Sequence, residues 1–202
     1  MKIVIVGGVA GGATAAARLR RLDETAQIVL LERSGYISYA NCGLPYYIGE
    51  VIEDKQELTL QTPQSFFNRF RIDVRTHSEV VEVRPREKIV MVRRTEDGTE
   101  YAESYDKLIL APGAKAIHPH LPGSDSSKIM TLRTVEDTFR IKEMSDLAKT
   151  KRVVVVGGGF IGLEVAENLI GRGFRTTVIQ RGEHVLPTID YDLACQVHAY
   201  LR

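Results

Sequence analysis

The sequence predicts an α/β fold of two β-α-β units, with an antiparallel β-meander inserted into the first. Three observations predict it. Two short β-branched runs, Lys2-Ile3-Val4-Ile5-Val6 and Arg152-Val153-Val154-Val155-Val156, lack the alternation of a half-exposed strand and so read as buried parallel strands. Each runs into a glycine-rich turn followed by a stretch of good helix formers. Between them, residues 73–110 switch to short alternating strands separated by turn residues. At 202 residues the chain can form one large domain or two modest ones, and the expected division is 1–113 and 114–202.

Composition excludes several classes. Apolar residues make up 44% and charged residues 26%, the balance of an ordinary globular protein. A net charge of +1 offers no electrostatic surface for nucleic acid or membrane. The two cysteines, Cys42 and Cys195, form neither a disulfide framework nor a metal-ligand spacing, which fits a reducing cytoplasm. His118 and His120 flank Pro119 in a connection over 114–128, with no further ligand at zinc spacing, so no metal is expected. Met1-Lys2 and the fifteen uncharged residues after it have the look of a signal peptide. That run is shorter than the roughly 20 apolar residues of a membrane span. Its four glycines within residues 7–12 would also break an apolar helix.

In chain order, the strand over 2–6 leads into Gly7-Gly8-Val9-Ala10-Gly11-Gly12 and a helix over 13–22. The next strand, 27–31, ends at Glu32 with Arg33 behind it, twenty residues beyond Gly12. Glycines at a helix start hold a pyrophosphate, and an acid at that spacing binds a ribose hydroxyl: this is the dinucleotide fingerprint, with Val9 in place of its middle glycine. A helix begins at Thr62 as N-cap with Pro63 in its first position. Strands follow over 80–83, 89–93 and 99–103, and a buried strand over 107–110 turns at Ala111-Pro112-Gly113. The second unit has a full glycine pattern, Gly157-Gly158-Gly159-Phe160-Ile161-Gly162, a helix over 163–172 closed by Gly173, and a strand over 176–179. At its ribose end stand Gln180 and Arg181. An acid there would select the free 2′-hydroxyl of NADH; a neutral amide followed by arginine favours the 2′-phosphate of NADPH, the plain alternative being a surface arginine at a strand end.

The stretch of residues 38–49, Ser-Tyr-Ala-Asn-Cys-Gly-Leu-Pro-Tyr-Tyr-Ile-Gly, carries the chemistry. Gly43 would let a flat ring or a backbone approach Cys42, and a helix opening at Leu44 would place the sulfur at its positive end, where a thiolate is favoured. A small buried cysteine in a loop is the plain alternative. Thr14, Arg18 and Arg21, at i, i+4 and i+7, form one stripe able to meet several phosphates, or simply a solvated basic helix end.

Two glycine patterns with a cysteine after the first acid resemble the flavin-dependent pyridine nucleotide-disulfide oxidoreductases. The second cysteine of the two-cysteine branch is replaced here by Pro45, Tyr46 and Tyr47, so the chain resembles the single-cysteine branch. Its glycine loop and Cys42 stretch are similar to the coenzyme A-disulfide reductases and the NADH-dependent persulfide and polysulfide reductases. Peroxidases and oxidases of the branch carry a histidine where this chain has Ala10, which argues against that specialisation.

The resemblance implies a Rossmann-like FAD/NAD(P)-binding fold. It puts FAD on Gly7, Gly8, Val9, Ala10, Gly11 and Gly12, with Glu32 and Arg33 at the ribose, Val81 by the adenine and residues 111–113 over the flavin nucleotide. NAD(P)H falls to Gly157, Gly159, Phe160, Ile161, Gly162, Gln180 and Arg181, with Glu164 near the nicotinamide or merely solvated. Coenzyme A contacts map onto Thr14, Arg18, Arg21, Ser38, Asn41 and Arg71, while the position of a family lysine holds Phe70. The implied reaction passes electrons from NAD(P)H through FAD to Cys42 and on to a small disulfide, coenzyme A disulfide or alternatively a persulfide or polysulfide. The resemblance also implies a longer, homodimeric protein, of which this chain is the N-terminal part. A nucleotide-binding module without turnover is the alternative from another class.

Overall fold

The computed structural model describes residues 1–118 and 121–201. His120 therefore lies outside the described residues. In chain order the elements begin β1 (Lys2–Val6), α1 (Ala10–Leu22), β2 (Gln27–Leu31) and β3 (Ile37–Tyr39), followed by a 3-10 turn at Asn41–Gly43. Then come α2 (Leu44–Ile48), α3 (Lys55–Leu58), β4 (Thr59–Gln61), α4 (Pro63–Phe70) and β5 (Asp73–Arg75). The meander is β6 (Ser78–Arg84), β7 (Ile89–Arg94) and β8 (Glu100–Ser104), after which β9 (Lys107–Leu110) ends this part of the chain. The remainder comprises α5 (Val135–Asp146), β10 (Arg152–Val156), α6 (Phe160–Gly171), β11 (Arg175–Ile179) and α7 (Tyr191–Tyr200).

The chain forms two compact units. The first is Met1–Ala40 with Thr59–Lys115; the second is Asn41–Leu58 with Ala116–Arg202. Asn41–Leu58 thus packs with the second unit, although chain order groups it with the first.

In the first unit a four-stranded parallel sheet has the order β5-β2-β1-β9. Its central strands are covered on both faces, which is why they read as unbroken apolar runs. On one face Ile3, Ile5, Ile28 and Leu30 pack against Ala13 and Ala16 of α1 and Phe66 of α4. On the other, Val4, Val29 and Leu31 meet Val90 and Val92 of the meander. Each such fully buried side chain contributes about 1.5–3 kcal/mol. The meander pairs β6-β7-β8 antiparallel, with a bulge between Val80 and Glu82. Glu103 of β8 is buried but paired with Lys2 and Arg75. Burial works to raise its carboxyl, and the two cations overcome that and hold it below the usual range.

The second unit pairs β10 with β11 in parallel. Its core gathers Leu169 of α6, Phe174 and Ile48 of α2, with Ile141 of α5 and Val153 of β10 packed alongside. α5 starts at a capping box: the Thr134 side chain accepts from the Asp137 N–H, and the Asp137 carboxylate accepts from the Thr134 N–H. Gly173, at φ +80, closes α6, its N–H bonded to the Ile170 carbonyl at 2.8 Å. No helix among the described residues is long and apolar enough to cross a membrane.

Both glycine turns are tighter than a helix start over 13–22 or 163–172 allows, because α1 and α6 begin three residues earlier and draw the last glycines into their first turns. A Cβ on Gly12 would collide with the Gly7 carbonyl, whereas one on Gly11 would lie 3.5 Å from the Ala111 methyl, an ordinary contact. Gly11→Ala should therefore stabilise the protein by about 0.5–1 kcal/mol, the usual gain of alanine over glycine in a helix. Gly12→Ala should destabilise it by about 1–3 kcal/mol, as overpacking does. Urea unfolding of the two variants checks the opposite signs; equal shifts would contradict the contact.

Candidate functional site

The first glycine turn is built backbone against backbone. Gly7, at φ +96, donates to the Leu31 carbonyl at 2.8 Å, and a Cβ on it would run into the Ala111 carbonyl. Only glycine meets both demands. Ala111 in turn donates to the Val6 carbonyl at 2.8 Å, so the 111–113 turn is stitched to the end of β1. Glu32 is buried at the end of β2; one carboxylate oxygen accepts from Gly8 N–H at 2.7 Å and the other from Ser34 N–H at 2.9 Å. Two bonds leave a carboxylate with further acceptor capacity. Arg33 is exposed, and Val81 sits exposed in the bulge of β6.

The second unit repeats this plan. Gly157, at φ +111, donates to the Ile179 carbonyl at 2.8 Å, and a Cβ on Gly162 would strike the Gly157 carbonyl. Gln180 stands where Glu32 stands in the first unit, its Oε1 accepting from Gly158 N–H at 2.9 Å. The repeat extends further along the chain. Ser38 N–H donates to the Gly8 carbonyl and Leu186 N–H to the Gly158 carbonyl, at 2.9 and 2.7 Å, and both residues have left-handed backbones (φ 45 and φ 50). With one bond already on its oxygen, Gln180 still carries an NH2 donor, which Glu32 lacks. Phe160 and Ile161 open α6 exposed to solvent, Glu164 is half-buried in its first turn, and Arg181 is exposed.

A cavity of about 460 Å³ lies in the first unit between α1, α4 and the β3–β4 pair. Thr14, Arg21 and Ser38 line it together with Val9 and Ala10 of the glycine turn. Tyr39, Leu60 and Phe66 give it apolar walls. Arg18 and Arg71 belong to the same unit but are not among its lining residues. Arg69 and Phe70, which neighbour Arg71 in sequence, are. The end of α4 is held by Arg20, whose guanidinium donates to the carbonyls of Phe70 at 2.7 Å and Arg71 at 2.9 Å while also holding those of Asp23 and Glu24. Composition offers no sign of that clamp; only the fold brings four carbonyls to one arginine.

Cys42 is exposed, in the 3-10 turn that leads into α2. In the preceding residue, the Asn41 Oδ1 is buried with no hydrogen-bond partner among the described residues. α2 is fastened within the second unit. Gly49 lets its end approach Asn168 of α6, where a Cβ would clash with the amide. Arg172 donates to the Ile48 carbonyl at 3.2 Å and pairs with Glu50 at 3.3 Å, and it also bonds Ser145 and Asp146. Lys142 adds bonds to Glu50 at 2.9 Å and Asp146 at 2.7 Å. Tyr47 stacks edge-on against Phe139 of α5 at 5.4 Å. Neither Arg172 nor Lys142 carries a sequence signal of this role. Cys195 is exposed on α7.

Two parallel β-α-β units, each closing on a glycine cradle with a polar side chain capping the second glycine, define a dinucleotide-binding α/β protein. The chain belongs to the pyridine nucleotide-disulphide oxidoreductase family, whose model matches residues 1–202. It is 42% identical over 192 residues to a coenzyme A disulfide reductase of Staphylococcus aureus, covering 95% of this chain and 43% of that relative. Among solved structures, that of reduced Bacillus anthracis CoADR-RHD superposes with a TM-score of 0.96 at 49% identity, over 99% of this chain and 36% of that one. A NAD-dependent persulfide reductase from A. fulgidus gives 0.95 at 34% identity, over all of this chain and 38% of that one. The chain thus spans less than half the length of these relatives.

The Lys142 hydrogen bond and the Arg172 charge hold Glu50 below the usual carboxylate range, and the Lys142 hydrogen bond, with help from Arg172, does the same for Asp146. A depressed folded pKa gives stability that is present above the unfolded value, about 4. It is lost as pH falls through the folded value. Both carboxylates are about half exposed, so each pair is worth about 0–1 kcal/mol. Glu50→Gln should accordingly lower unfolding free energy by about 0–1 kcal/mol at pH 7 and by less at pH 3. Urea titrations at the two pH values check the sign.

Proposed function

We propose that this chain is the nucleotide-binding and thiol-bearing part of an FAD-dependent reductase that takes electrons from NAD(P)H to Cys42 and on to coenzyme A disulfide. The observation that carries the reading is the exposed Cys42 in a fastened turn, on a chain that holds two glycine cradles of the dinucleotide type. The match to relatives named for coenzyme A disulfide and persulfide reduction supports a sulfur substrate.

The residues fit FAD in the first unit. At Gly7 and Gly12 a Cβ would strike the Ala111 and Gly7 carbonyls, so only glycines close this turn at the start of α1, and buried Glu32 keeps acceptor capacity for a ribose hydroxyl. FAD is assigned to these residues together with Gly8, Val9, Ala10, Gly11, Arg33, Val81 and Ala111-Pro112-Gly113. FAD, when bound, supplies two-electron transfer between a nicotinamide and a sulfur. NAD(P)H is assigned to Gly157, Gly159, Phe160, Ile161 and Gly162, with Glu164 near the nicotinamide and Gln180 and Arg181 at the ribose.

The chain's own part of the chemistry is at sulfur. The Cys42 thiolate attacks one sulfur of the substrate disulfide, forming a mixed disulfide and expelling one thiolate, which takes up a proton. Two electrons originating in NAD(P)H then cleave the mixed disulfide, restoring the Cys42 thiolate and releasing the second thiol. The NH2 of Gln180 and the Arg181 guanidinium are donors suited to a 2′-phosphate, so NADPH is the preferred donor. A homodimer in the cytoplasm is the expected full-length form.

Cys42→Ser in the full-length protein should abolish NADPH-dependent reduction of coenzyme A disulfide while leaving the flavin absorption spectrum in place; retained turnover would end the proposal. A colourless protein that still binds nucleotide would instead favour a binding module. Gln180→Glu should shift the NADPH-to-NADH ratio of kcat/KM toward NADH by on the order of tenfold, about the worth of one charge-assisted hydrogen bond. An unchanged ratio would contradict the donor role.

A further inference from the structure

We propose that Arg172 is a positioning residue for the sulfur chemistry: with Lys142 it locks Glu50 and so fixes the orientation of the turn that carries Cys42. The inference rests on the role proposed above for Cys42 and assigns the group that holds it in place.

The Cys42 turn runs straight into α2, whose five residues are too few to persist alone, so the turn sits where the end of α2 is gripped. One grip is apolar, Ile48 against Leu169 and Phe174. The other is a closed ring of four charges. Arg172 pairs with Glu50 at 3.3 Å and with Asp146, and Lys142 pairs with Glu50 at 2.9 Å and Asp146 at 2.7 Å. Cation and carboxylate alternate, so each charge has two opposite neighbours. Arg172 is the buried member, its side chain 8% exposed. It also reaches the backbone of α2, donating to the Ile48 carbonyl at 3.2 Å, and it bonds the Ser145 hydroxyl.

Stability alone does not account for this ring. Desolvating a guanidinium offsets most of what its pairs return, and Glu50 is held left-handed (φ 64), a conformation that favours glycine. A glycine and an apolar neighbour would end the same helix without either cost. What the charges add is direction, because a planar guanidinium with fixed donors accepts few orientations of the groups it bonds. The same arginine caps α6, whose twelve residues, about 18 Å of helix, begin at Phe160 on the second glycine turn. The thiol turn and the nucleotide turn thus stand at opposite ends of one helix. Orientation matters at Cys42 because forming and cleaving its bond to a substrate sulfur both need the reacting atoms aligned, and a misplacement of about 1 Å can cost roughly a hundredfold in rate.

The test uses the full-length protein and two rate constants, for formation of the coenzyme A adduct on Cys42 and for its loss on anaerobic addition of NADPH, each followed by rapid quench and mass spectrometry. Arg172→Met, which keeps an apolar stem, should slow at least one of them roughly tenfold or more, and Arg172→Lys should recover part of the loss. Glu50→Gln, whose stability cost is small, should slow the same step; should Arg172→Met not fold, this variant carries the test alone. Val92→Ala, a core truncation in the first unit, should lower the urea midpoint and leave both rate constants within about twofold. A purely structural role moves the midpoint and the fraction of molecules that react, not the rate constants of those that do. Rate constants within about twofold in both Arg172→Met and Glu50→Gln, or in Glu50→Gln when the other does not fold, would overturn the assignment while leaving the reductase reading intact. Slowing in Val92→Ala as large as in Arg172→Met would overturn it too. An unsubstituted protein that forms no adduct on Cys42 would end the reductase reading and the positioning role with it.

Discussion

The structure depends on one constraint, the approach of backbone to backbone at the two glycine turns. In each unit the carbonyl of the first glycine lies where a Cβ of the last would be, at Gly7 and Gly12 and again at Gly157 and Gly162. That contact brings the helix start against the strand end, and everything that could hold a dinucleotide follows from it. The helix N–H groups gather at one point, and the polar residue closing the next strand reaches back to the second glycine. The two turns differ in that polar residue. The first unit has a carboxylate there, an acceptor only; the second has an amide, which accepts from Gly158 and also carries an NH2 donor.

Around these cradles the packing is specialised rather than symmetric. The first unit sandwiches its parallel sheet between α1 and α4 on one side and the meander on the other, and so leaves a cavity beside α4. The second unit devotes a cluster of charges, centred on Arg172, to securing the short α2. Five residues of helix do not persist alone in water. The turn bearing Cys42 is therefore only as well placed as that cluster and the Ile48 contacts make it.

Much of this was legible in the sequence, for physical reasons. The unbroken β-branched runs, the glycine patterns, the Thr62-Pro63 helix start and the three-stranded meander all depend on local rules. Other features depend on partners far along the chain. Strands β3 and β4 are three residues each, too short to show a period, and exist because they pair with one another. Asn41–Leu58 joins the second unit through Ile48, Gly49 and Arg172, a grouping invisible to chain order. The helix α5 did have a local signal, the Thr134–Asp137 box, hidden behind a connection rich in proline. At the α4 end, Arg69 and Arg71 are equivalent in composition, and only the left-handed backbone of Arg71 separates them.

The central claim is that Cys42 is the sulfur that exchanges with substrate and is reset by electrons from a reduced nicotinamide. Mass spectrometry of the full-length protein after exposure to coenzyme A disulfide, before and after anaerobic addition of NADPH, tests it most directly. The expected result is a coenzyme A adduct on the peptide containing Cys42 that disappears on adding NADPH. An adduct confined to Cys195, or one on Cys42 that NADPH leaves in place, would contradict it.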